Sequence, residues 1–391
     1  MTGIPYLTWR YLCHRPFRTL LLIFTVSLMI YLPLAVQLFV KESARLMQAR
    51  AQTSPLLVGP RGSATDLALS SLYFTPNSLP PLDFLSFRKT QALRLGTVVP
   101  LHLRFRAGSA PIVGTSLAYF EQRALTPASG RLFTRLGDCV LGAAVAEKRG
   151  LSVGDSLISS PENVFDLAGV YPLKMRITGI LAPARSPDDE AVFVDLKTAW
   201  VIEGLAHGHE DLSQPAAADA VLSREGDTIR ANASVREYNE VTDENVDSFH
   251  FHGNQLDFPL SSLLLFPSSP KARALLQGKF DDPDSDQQII VPADSLAQLR
   301  ETLFATRKLV FTGFLALSAA CALLVLLVFT LSLRLREGEM KTYRKIGLSP
   351  GGLLLLKGAD LLVIILTGSL TAFLALLLTR QFAADLLTSL L

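Results

Sequence analysis

The sequence predicts an α-helical membrane protein with three spans and a large α+β domain outside the cytoplasm. Three observations predict this class: three long uncharged apolar segments, a stretch of ordinary soluble composition between the first two, and basic residues beside the apolar segments. Hydrophobic residues make up 49% of the 391 residues and charged residues only 18%, whereas a typical soluble domain has about 25% charged residues. With three cysteines and this apolar content, the sequence excludes a disordered chain and a disulfide scaffold.

The apolar excess is concentrated in uncharged runs at residues 19–40, 309–333 and 361–379. Because about 20 predominantly apolar residues cross a bilayer, we predict membrane helices at 19–40, 309–333 and 353–379. A cleaved signal peptide is the alternative for the first run. That run exceeds the usual apolar core of about 7–15 residues, and it ends in the sequence FVKE without a small-residue cleavage site, so an uncleaved anchor is favoured.

The distribution of charge predicts the orientation in the membrane. Arginines without acidic neighbours precede the first run, and basic residues outnumber acidic ones after the second run. Because basic segments stay in the cytoplasm, we predict that residues 1–18 and 334–352 are cytoplasmic, and that residues 41–307 and the tail 380–391 lie outside. Residues 41–307 are net acidic and the rest of the chain is net basic. The basic residues are therefore explained by the orientation in the membrane, and the absence of a basic external domain disfavours nucleic acid as a partner.

Short strands and short helices alternate within residues 41–307, which favours an α+β domain. Alternation of apolar and polar residues predicts a half-buried strand at 97–106, and further strands are predicted at 175–181 and 191–196. A short helix is predicted at 143–149, where the following glycine can cap it. Residues 53–82 are rich in Gly, Pro and Ser and are predicted to be loops with short strands.

The segment RLREGEMKTYRKIGLSPGGLLLLKGADLL at residues 334–362 is the most specific feature of the chain. It predicts a short charged helix at the membrane surface, broken by Gly347 and Pro350, between two membrane helices. A plain polar connection is the alternative. Asp360, at the start of the third span, is interpreted as an anchor at the membrane interface, with a relay role as the alternative.

This pattern of mixed charges, then R-x-I-G-x-S, then an apolar span resembles the FtsX/MacB/Lol-type permease family of ABC transporters. The layout is similar too: one amino-terminal span, a large extracytoplasmic domain, and further spans at the carboxyl end. The stretches GAAVAEKRGLSVGDSL and ITGIL-x-P-x-RSP-x-D-x-x-VFVDL are similar to the extracytoplasmic domain of the MacB and lipoprotein-releasing branches. The resemblance implies that residues 41–307 form a domain of the MacB periplasmic-core type.

The resemblance implies a permease subunit whose energy comes from a separate ABC ATPase subunit, so that ATP acts only through that partner. In agreement, the chain has no G-x-x-x-x-G-K-[S/T] phosphate loop. Segment 334–352 would receive the movement of the ATPase by mechanotransmission. Its candidate docking residues supply charge complementarity and, at the glycine, a sharp reversal; they are Arg336, Glu339, Lys341, Arg344 and Gly347.

The resemblance further implies a bacterial cytoplasmic (inner) membrane location, contact with membrane lipid, and a dimer with a second copy or a homologue. The family has a fourth span, so a naturally short chain, a fragment and a separate polypeptide supplying that span all stay open. The tail 380–391 is predicted to be an amphipathic surface helix. The external work is expected to be release of a lipoprotein or another amphiphile, with a periplasmic binding protein or lipoprotein as partner, or transition-metal (zinc) handling.

Four of the six histidines form two H-x-H pairs, His207 with His209 and His250 with His252. On a strand, alternate residues share one face, so the SFHFHG stretch predicts both imidazoles on one side. Imidazoles with a nearby carboxylate, here Glu210, suit zinc or a similar divalent metal. These five residues are therefore a candidate metal site. Hydrogen-bonded surface histidines are the alternative, and the sequence leaves open whether the two pairs meet.

Two further hypotheses come from other classes. One is a metal-sensing or assembly platform that transports nothing. The other is a membrane-anchored enzyme, which is the least favoured because the chain has no H-E-x-x-H motif and Cys139 is the only cysteine within residues 41–307. The same lone cysteine excludes an internal disulfide in that domain.

Overall fold

The computed structural model describes residues 3–160, 172–208, 221–225, 228–231, 239–282 and 284–388. The chain divides into two compact units. We call Met1–Leu46 with Arg300–Leu390 the membrane unit, and Met47–Leu299 the external unit. Both boundaries fall inside continuous helices, a few residues within the predicted external domain 41–307.

Every described element longer than ten residues is a helix. The α-helices are α1 (Gly3–His14), α2 (Pro16–Gln52), α3 (Ala64–Tyr73), α4 (Phe84–Ala92), α5 (Leu117–Arg123), α6 (Ala143–Arg149), α7 (Leu196–Ile202), α8 (Pro270–Lys279), α9 (Pro292–Leu335), α10 (Glu337–Lys345) and α11 (Pro350–Thr388). Among the described residues, three helices are long and apolar enough to cross a membrane: α2, α9 over Phe311–Leu335, and α11 over Pro350–Phe382. Each contains one predicted span, and the predicted fold class is confirmed.

Close packing at small residues joins the helices of the membrane unit. A Cβ on Gly368 of α11 would lie 2.8 Å from a methyl group of Val26 in α2, so the two backbones approach closely there. The Tyr31 and Thr379 hydroxyls are hydrogen-bonded at 2.8 Å. The predicted surface helix at 380–391 is not a separate element, since α11 continues through Thr388. No Gly or Pro interrupts the sequence there, so nothing local stops the helix.

The external unit contains the strands. They are β1 (Leu56–Pro60), β2 (Leu82–Asp83), β3 (Gly96–Leu101), β4 (Arg106–Ala107), β5 (Ala110–Thr115), β6 (Pro127–Gly130), β7 (Asp138–Leu141), β8 (Ser156–Ile158), β9 (Leu173–Leu181), β10 (Val192–Asp195), β11 (Ala206–His207), β12 (Val221–Glu225), β13 (Thr228–Ala231), β14 (Asn239–Glu240), β15 (His250–Phe251), β16 (Pro259–Leu260), β17 (Ser262–Pro267) and β18 (Gln287–Ile290).

Two larger sheets organise these strands. The first is antiparallel with the order β18-β1-β17-β3. The second is mixed with the order β14-β9-β7-β10-β5-β4, and β6 and β8 also pair with β9. Strand β10 runs parallel to β5, and β7 runs parallel to β9. Short antiparallel pairs, β11 with β15, β12 with β13 and β2 with β16, complete the described strands.

An aromatic cluster occupies the largest core of the external unit. Tyr119, Phe120 and Phe193 are each at most 2% exposed, and the rings of Tyr119 and Phe120 lie 5.5 Å and 5.4 Å from that of Phe193. Helix α6 has the predicted bounds, and Gly150 ends it with a φ of 62°. The prediction of loops and short strands across 53–82 is wrong for α3, whose amino terminus is capped by Ser63 and whose Leu67 and Leu72 are buried.

Candidate coupling site

The connection between the second and third apolar helices is a charged helical hairpin. Helix α10 has Glu337 and Glu339 in its first turn, and Arg344 and Lys345 in its last turn. Acidic side chains at the amino end and basic side chains at the carboxyl end complement the helix dipole. The charge order that marked this segment in the sequence therefore also stabilises the helix that carries it.

A glycine and a serine make the turn that joins α10 to α11. Gly347 has a φ of 97°, in the left-handed region where a side chain is strained. The Ser349 hydroxyl accepts a hydrogen bond from the Gly352 N–H at 3.2 Å, at the start of α11. Residues 347–351 also spell G-x-S-x-G, but the serine lies between two helices rather than at the strand-to-helix elbow that activates a hydrolase serine.

An open groove lies between α10 and α11. Lys341, Arg344 and Lys357 line it together with the apolar side chains of Met340 and Leu353. The predicted docking residues Glu339, Lys341, Arg344 and Gly347 are all exposed. Three basic groups against one acidic group, Glu337, beside an apolar surface suit an acidic docking partner, because complementary charges select and orient the encounter.

Arg336 differs from the other four predicted docking residues because its side chain is buried, with only 5% exposed. Its Nη1 donates to Asp360 Oδ2 at 2.5 Å, and its Nε donates to Glu339 Oε2 at 3.1 Å. Burial removes the guanidinium from the docking surface, so the prediction that it contacts the ATPase does not agree with its position. Asp360 is likewise buried, which makes it a partner of the hairpin rather than an interface anchor.

The Arg336–Asp360 pair also holds the amino-terminal helix. The guanidinium carbon of Arg336 lies 3.3 Å from the ring centroid of Tyr11 in α1, a cation–π contact. Thr8 of α1 is buried at 3% exposure. One arginine thus joins α1, α10 and α11 within the membrane unit. Tyr11 contributes a contact that the sequence analysis did not anticipate.

A second buried ion pair lies in the external unit, at the carboxyl end of α2. Arg50 donates from Nη1 and Nη2 to the two carboxylate oxygens of Asp188 at 2.6 and 2.9 Å. Its Nε donates to the Leu72 carbonyl at 2.5 Å, and the Tyr119 hydroxyl donates to Asp188 at 2.5 Å. Bidentate geometry is the strongest form of such pairs. The end of the first apolar helix is therefore fixed to the core of the external unit.

The loop that presents Asp188 is preorganised by its own sequence. Ser186 and Asp189 form a capping box around a short 3-10 helix, Pro187–Glu190. The Ser186 hydroxyl also donates to Asp188 Oδ2 at 2.8 Å. Sequence reasoning quoted this stretch for its family resemblance but did not assign Asp188 a partner. The available signal was an arginine just beyond a membrane helix, but its acceptor is 138 residues away in the chain.

Burial raises the pKa of the Asp188 carboxyl, but the charge of Arg50 and the hydrogen bonds from Arg50 and Tyr119 outweigh burial and lower it to about 2. Burial, and then the neighbouring Asp188 charge, raises the pKa of Tyr119. The cluster is therefore built around an ionised carboxylate and a neutral phenol at neutral pH.

The depressed pKa of Asp188 predicts acid sensitivity of the external unit. A carboxylate with a folded-state pKa of about 2, against 3.8 unfolded, stabilises the fold above pH 4 and loses that stabilisation as pH falls towards 2. Between pH 7 and pH 3 the stability advantage of the wild type over Asp188→Asn should shrink by roughly 1 kcal/mol. Unfolding can be followed by the fluorescence of Trp200 in a Trp9→Phe background; an advantage that is constant with pH would contradict the assignment.

The two H-x-H pairs of the sequence lie on neighbouring strands where the structure describes them. Strands β11 and β15 pair antiparallel with His207 opposite His250. The rings of His250 and His252 lie 4.6 Å apart, and both residues are exposed. His209 and Glu210 lie outside the described residues. Among the side chains that the structure does describe, no group of three or more His, Cys, Asp or Glu is placed to hold a metal.

Cys139 lies in β7 at the centre of the mixed sheet and is fully buried. Burial, followed by the charge of Asp138, raises the pKa of its thiol. A neutral thiol without access to solvent is a poor nucleophile. Cys139 is thus a core residue.

Three apolar helices, a charged hairpin between two of them and a large α+β unit define a membrane protein with an extracytoplasmic domain. The family of MacB-like periplasmic core domains matches residues 20–237. The chain belongs to this family and is an ABC transporter permease of the FtsX/MacB type. The family implies a partner ABC ATPase on a separate chain.

The periplasmic region of MacB from Actinobacillus actinomycetemcomitans is similar over 63% of this chain and 92% of that chain, with 12% sequence identity and a TM-score of 0.35. Comparison with curated proteins found no match.

Proposed function

We propose that this chain transmits ATP-driven movement of a separate ABC ATPase from the cytoplasmic hairpin to the external unit. The observation that carries the proposal is the α10–α11 hairpin: its outer face is exposed and charged, while its base is fixed by the buried Arg336–Asp360 pair. A docking surface on a rigidly held base can pass displacement to the helices behind it.

The proposed orientation places α10 and the amino terminus in the cytoplasm, and the external unit in the periplasm of a bacterial inner membrane. The excess of basic residues before α2 and within the hairpin supports this orientation. The Arg50–Asp188 pair would then be the periplasmic end of the pathway, because Arg50 lies two residues before the end of α2. Movement of α2 along its axis would act directly on the core around Tyr119.

We further propose that the functional unit is a pair of permease subunits, either two copies or a copy and a homologue, with one ATPase for each. The external work would be release of a lipoprotein or another amphiphile, or handling of a transition metal. A periplasmic binding protein or lipoprotein would deliver or receive that substrate. A platform that senses or assembles but transports nothing is the alternative, and it requires no ATPase.

Docking is tested by charge reversal on the exposed face of α10. In co-expression with the cognate ATPase, we expect Arg344→Glu to lower the amount of ATPase that co-purifies at least about tenfold, because like charges then face each other across the interface. The matched control is Arg380→Glu, the same reversal at the other end of α11. Salt titration should weaken the wild-type complex and, because salt also screens the repulsion in the variant, narrow the difference in binding between the wild type and Arg344→Glu.

The turn is tested separately with Gly347→Ala. There is space for a Cβ at this position, but the φ of 97° strains any other residue, so we expect a misdirected hairpin and weaker ATPase capture. Gly351→Ala, four residues on and within α11, is the control. If Arg344→Glu and Gly347→Ala both retain the ATPase like the wild type, or if the wild type binds none, the coupling proposal is wrong and the platform alternative is favoured.

A further inference from the structure

We infer that the exposed face of α1 binds anionic phospholipid headgroups, in the leaflet on the side of the amino terminus. Tyr6 and Trp9 supply the interfacial contacts, and Arg10 and Arg15 supply the charge that selects the headgroup. The inference goes beyond the proposed coupling, because it assigns a ligand class to a surface outside the hairpin. The site requires neither an ATPase nor a particular orientation of the chain in the membrane.

The inner face of α1 is occupied by contacts within the membrane unit. Thr8 and Leu12 are buried. Leu12 belongs to an apolar cluster with Ile364 of α11, and the Tyr11 ring carries the Arg336 guanidinium. Residues three and four apart lie on one side of a helix. The inner face is therefore fixed against α11, and the opposite face of α1 points away from it.

The turn between α1 and α2 holds α1 at its carboxyl end. Pro16 disfavours a helical conformation for Arg15, so α1 ends at His14 and α2 begins at the proline. The Thr19 hydroxyl of α2 donates a buried hydrogen bond to the Leu12 carbonyl at 3.0 Å. The last carbonyls of a helix lack partners in their own helix, and Thr19 supplies one. The outer face therefore has a fixed direction.

The outer face of α1 is aromatic and exposed. Tyr6 and Trp9 are 63% and 65% exposed, and Arg10 and Cys13 follow them on the same side of the helix. Phe17, in the first turn of α2, is 82% exposed. Tyrosine and tryptophan are enriched at the level of lipid headgroups, because each combines an apolar ring with a polar group. This composition suits a membrane interface.

The contacts of α1 place its outer face at the boundary of the apolar spans. Tyr11 packs on Arg336, and the Arg336 guanidinium donates to Asp360. Asp360 directly precedes the uncharged run 361–379 of α11. The uncharged run of α2 begins at residue 19, just after the turn. Helix α1 therefore lies where two apolar spans end, which is the depth of the headgroups.

The charge around the outer face favours anionic lipid. Arg10 and Arg15 are exposed, and residues 1–41 contain no acidic residue. The Asp360 carboxylate beneath α1 is buried and paired with Arg336, so it does not neutralise the two exposed arginines. Each basic side chain beside an anionic lipid surface strengthens binding about fivefold. Two arginines next to exposed aromatic rings therefore distinguish an anionic headgroup from a zwitterionic one.

The test is quenching of Trp9 in the full chain, without ATPase, in phosphatidylcholine nanodiscs that contain some phosphatidylglycerol. The chain has two tryptophans, so a Trp200→Phe background leaves Trp9 alone. Brominated acyl chains quench nearby tryptophans. Two samples have the same lipid composition, but one has brominated phosphatidylglycerol and the other an equal mole fraction of brominated phosphatidylcholine. We expect phosphatidylglycerol to quench Trp9 at least about threefold more strongly, and added salt to reduce this preference.

Arg10→Gln/Arg15→Gln should abolish the preference, because it removes the charges and keeps Trp9. The matched control is Arg380→Gln, an exposed arginine of α11 far from α1 in the sequence, which should retain the preference. Equal quenching in the wild type, or an unchanged preference in the double variant, would overturn the site. Quenching by neither lipid, with Trp9 fluorescence that changes only when ATPase is added, would overturn it in favour of a protein contact. The wild-type comparison decides by itself if the double variant does not assemble.

Tyr11 gives the lipid site a route to the hairpin, because the same helix that meets the lipid contacts Arg336. This consequence rests on the proposed coupling. In the complex with the cognate ATPase, phosphatidylglycerol should raise ATP hydrolysis at least about twofold. Tyr11→Leu should lose that response and keep the lipid preference at Trp9. Lipid preference without any ATPase binding would reject the coupling and leave the lipid site in place, whereas hydrolysis that ignores phosphatidylglycerol in an active complex would reject the route through Tyr11.

Discussion

Asp188→Ala should destabilise the external unit by about 3–5 kcal/mol, because it leaves the charge of Arg50 buried without a partner. Arg50 and Asp188 side chains are 8% and 2% exposed, so water cannot replace the lost carboxylate. The variant also removes the acceptor of the Tyr119 hydroxyl. Few single substitutions reach this size, and unpaired buried charge is one of the mechanisms that do.

The measurement is denaturant unfolding of the full chain in detergent, followed by Trp200 fluorescence in a Trp9→Phe background. Asp243→Ala provides the matched control, because the Arg135–Asp243 pair is the same chemistry with side chains 59% and 76% exposed. Exposed pairs contribute about 0–1 kcal/mol, so the control should unfold nearly like the wild type. Equal losses in the two variants would show that the buried pair has no special role.

A double variant separates a role of the pair in anchoring α2 from its contribution to stability. Arg50→Met/Asp188→Leu replaces the pair by apolar side chains of similar size, which is often neutral or stabilising. We expect this double variant to recover the stability lost in Asp188→Ala. If the pair also fixes the direction of α2, the double variant should still couple poorly, which would be seen as weak stimulation of ATP hydrolysis in the complex. Full recovery of both stability and stimulation would assign the pair a purely structural role.

Asp360→Ala should have the largest effect in the membrane unit, because it leaves Arg336 buried between three helices with only the half-exposed Glu339 carboxylate as a charged partner. We expect a loss of about 3 kcal/mol in the stability of that unit, at the lower end for a broken buried pair. We also expect the permease to stimulate ATP hydrolysis by its partner ATPase at least about tenfold less, because the hairpin loses its fixed base. Retained ATPase capture together with lost stimulation would be the signature of uncoupling.

Unfolding of the membrane unit can be followed by dye labelling of Cys321 in α9, in a Cys13→Ser/Cys139→Ala background that removes the other two thiols. The Tyr11 contact offers a graded comparison. Tyr11→Phe keeps the ring under Arg336 and should be nearly silent, whereas Tyr11→Leu removes a cation–π contact worth about 0.5–2 kcal/mol. Unchanged labelling and unchanged stimulation in Asp360→Ala would reject the role of the pair.

Several features were predictable because their signals are local in the sequence. The three apolar runs identify the membrane helices by length alone, and the predicted bounds of α6 with its glycine cap are those observed. The charge order of residues 337–345 and the glycine at 347 predicted the hairpin. Helix α3 was missed because Gly, Pro and Ser are frequent in the residues around it, although its own sequence, ATDLALSSLY after the capping Ser63, has the residue types of a helix.

The sequence by itself determined the class of this protein, its membrane helices and the charged hairpin between two of them, since hydropathy, charge and turn residues act over a few neighbouring positions. Tertiary structure alone decided which polar groups meet. It buried Arg336 against Asp360, joined Arg50 to Asp188, and set His207 opposite His250. These pairings link residues 24, 138 and 43 positions apart, and they depend on how the chain folds over those distances rather than on any local preference.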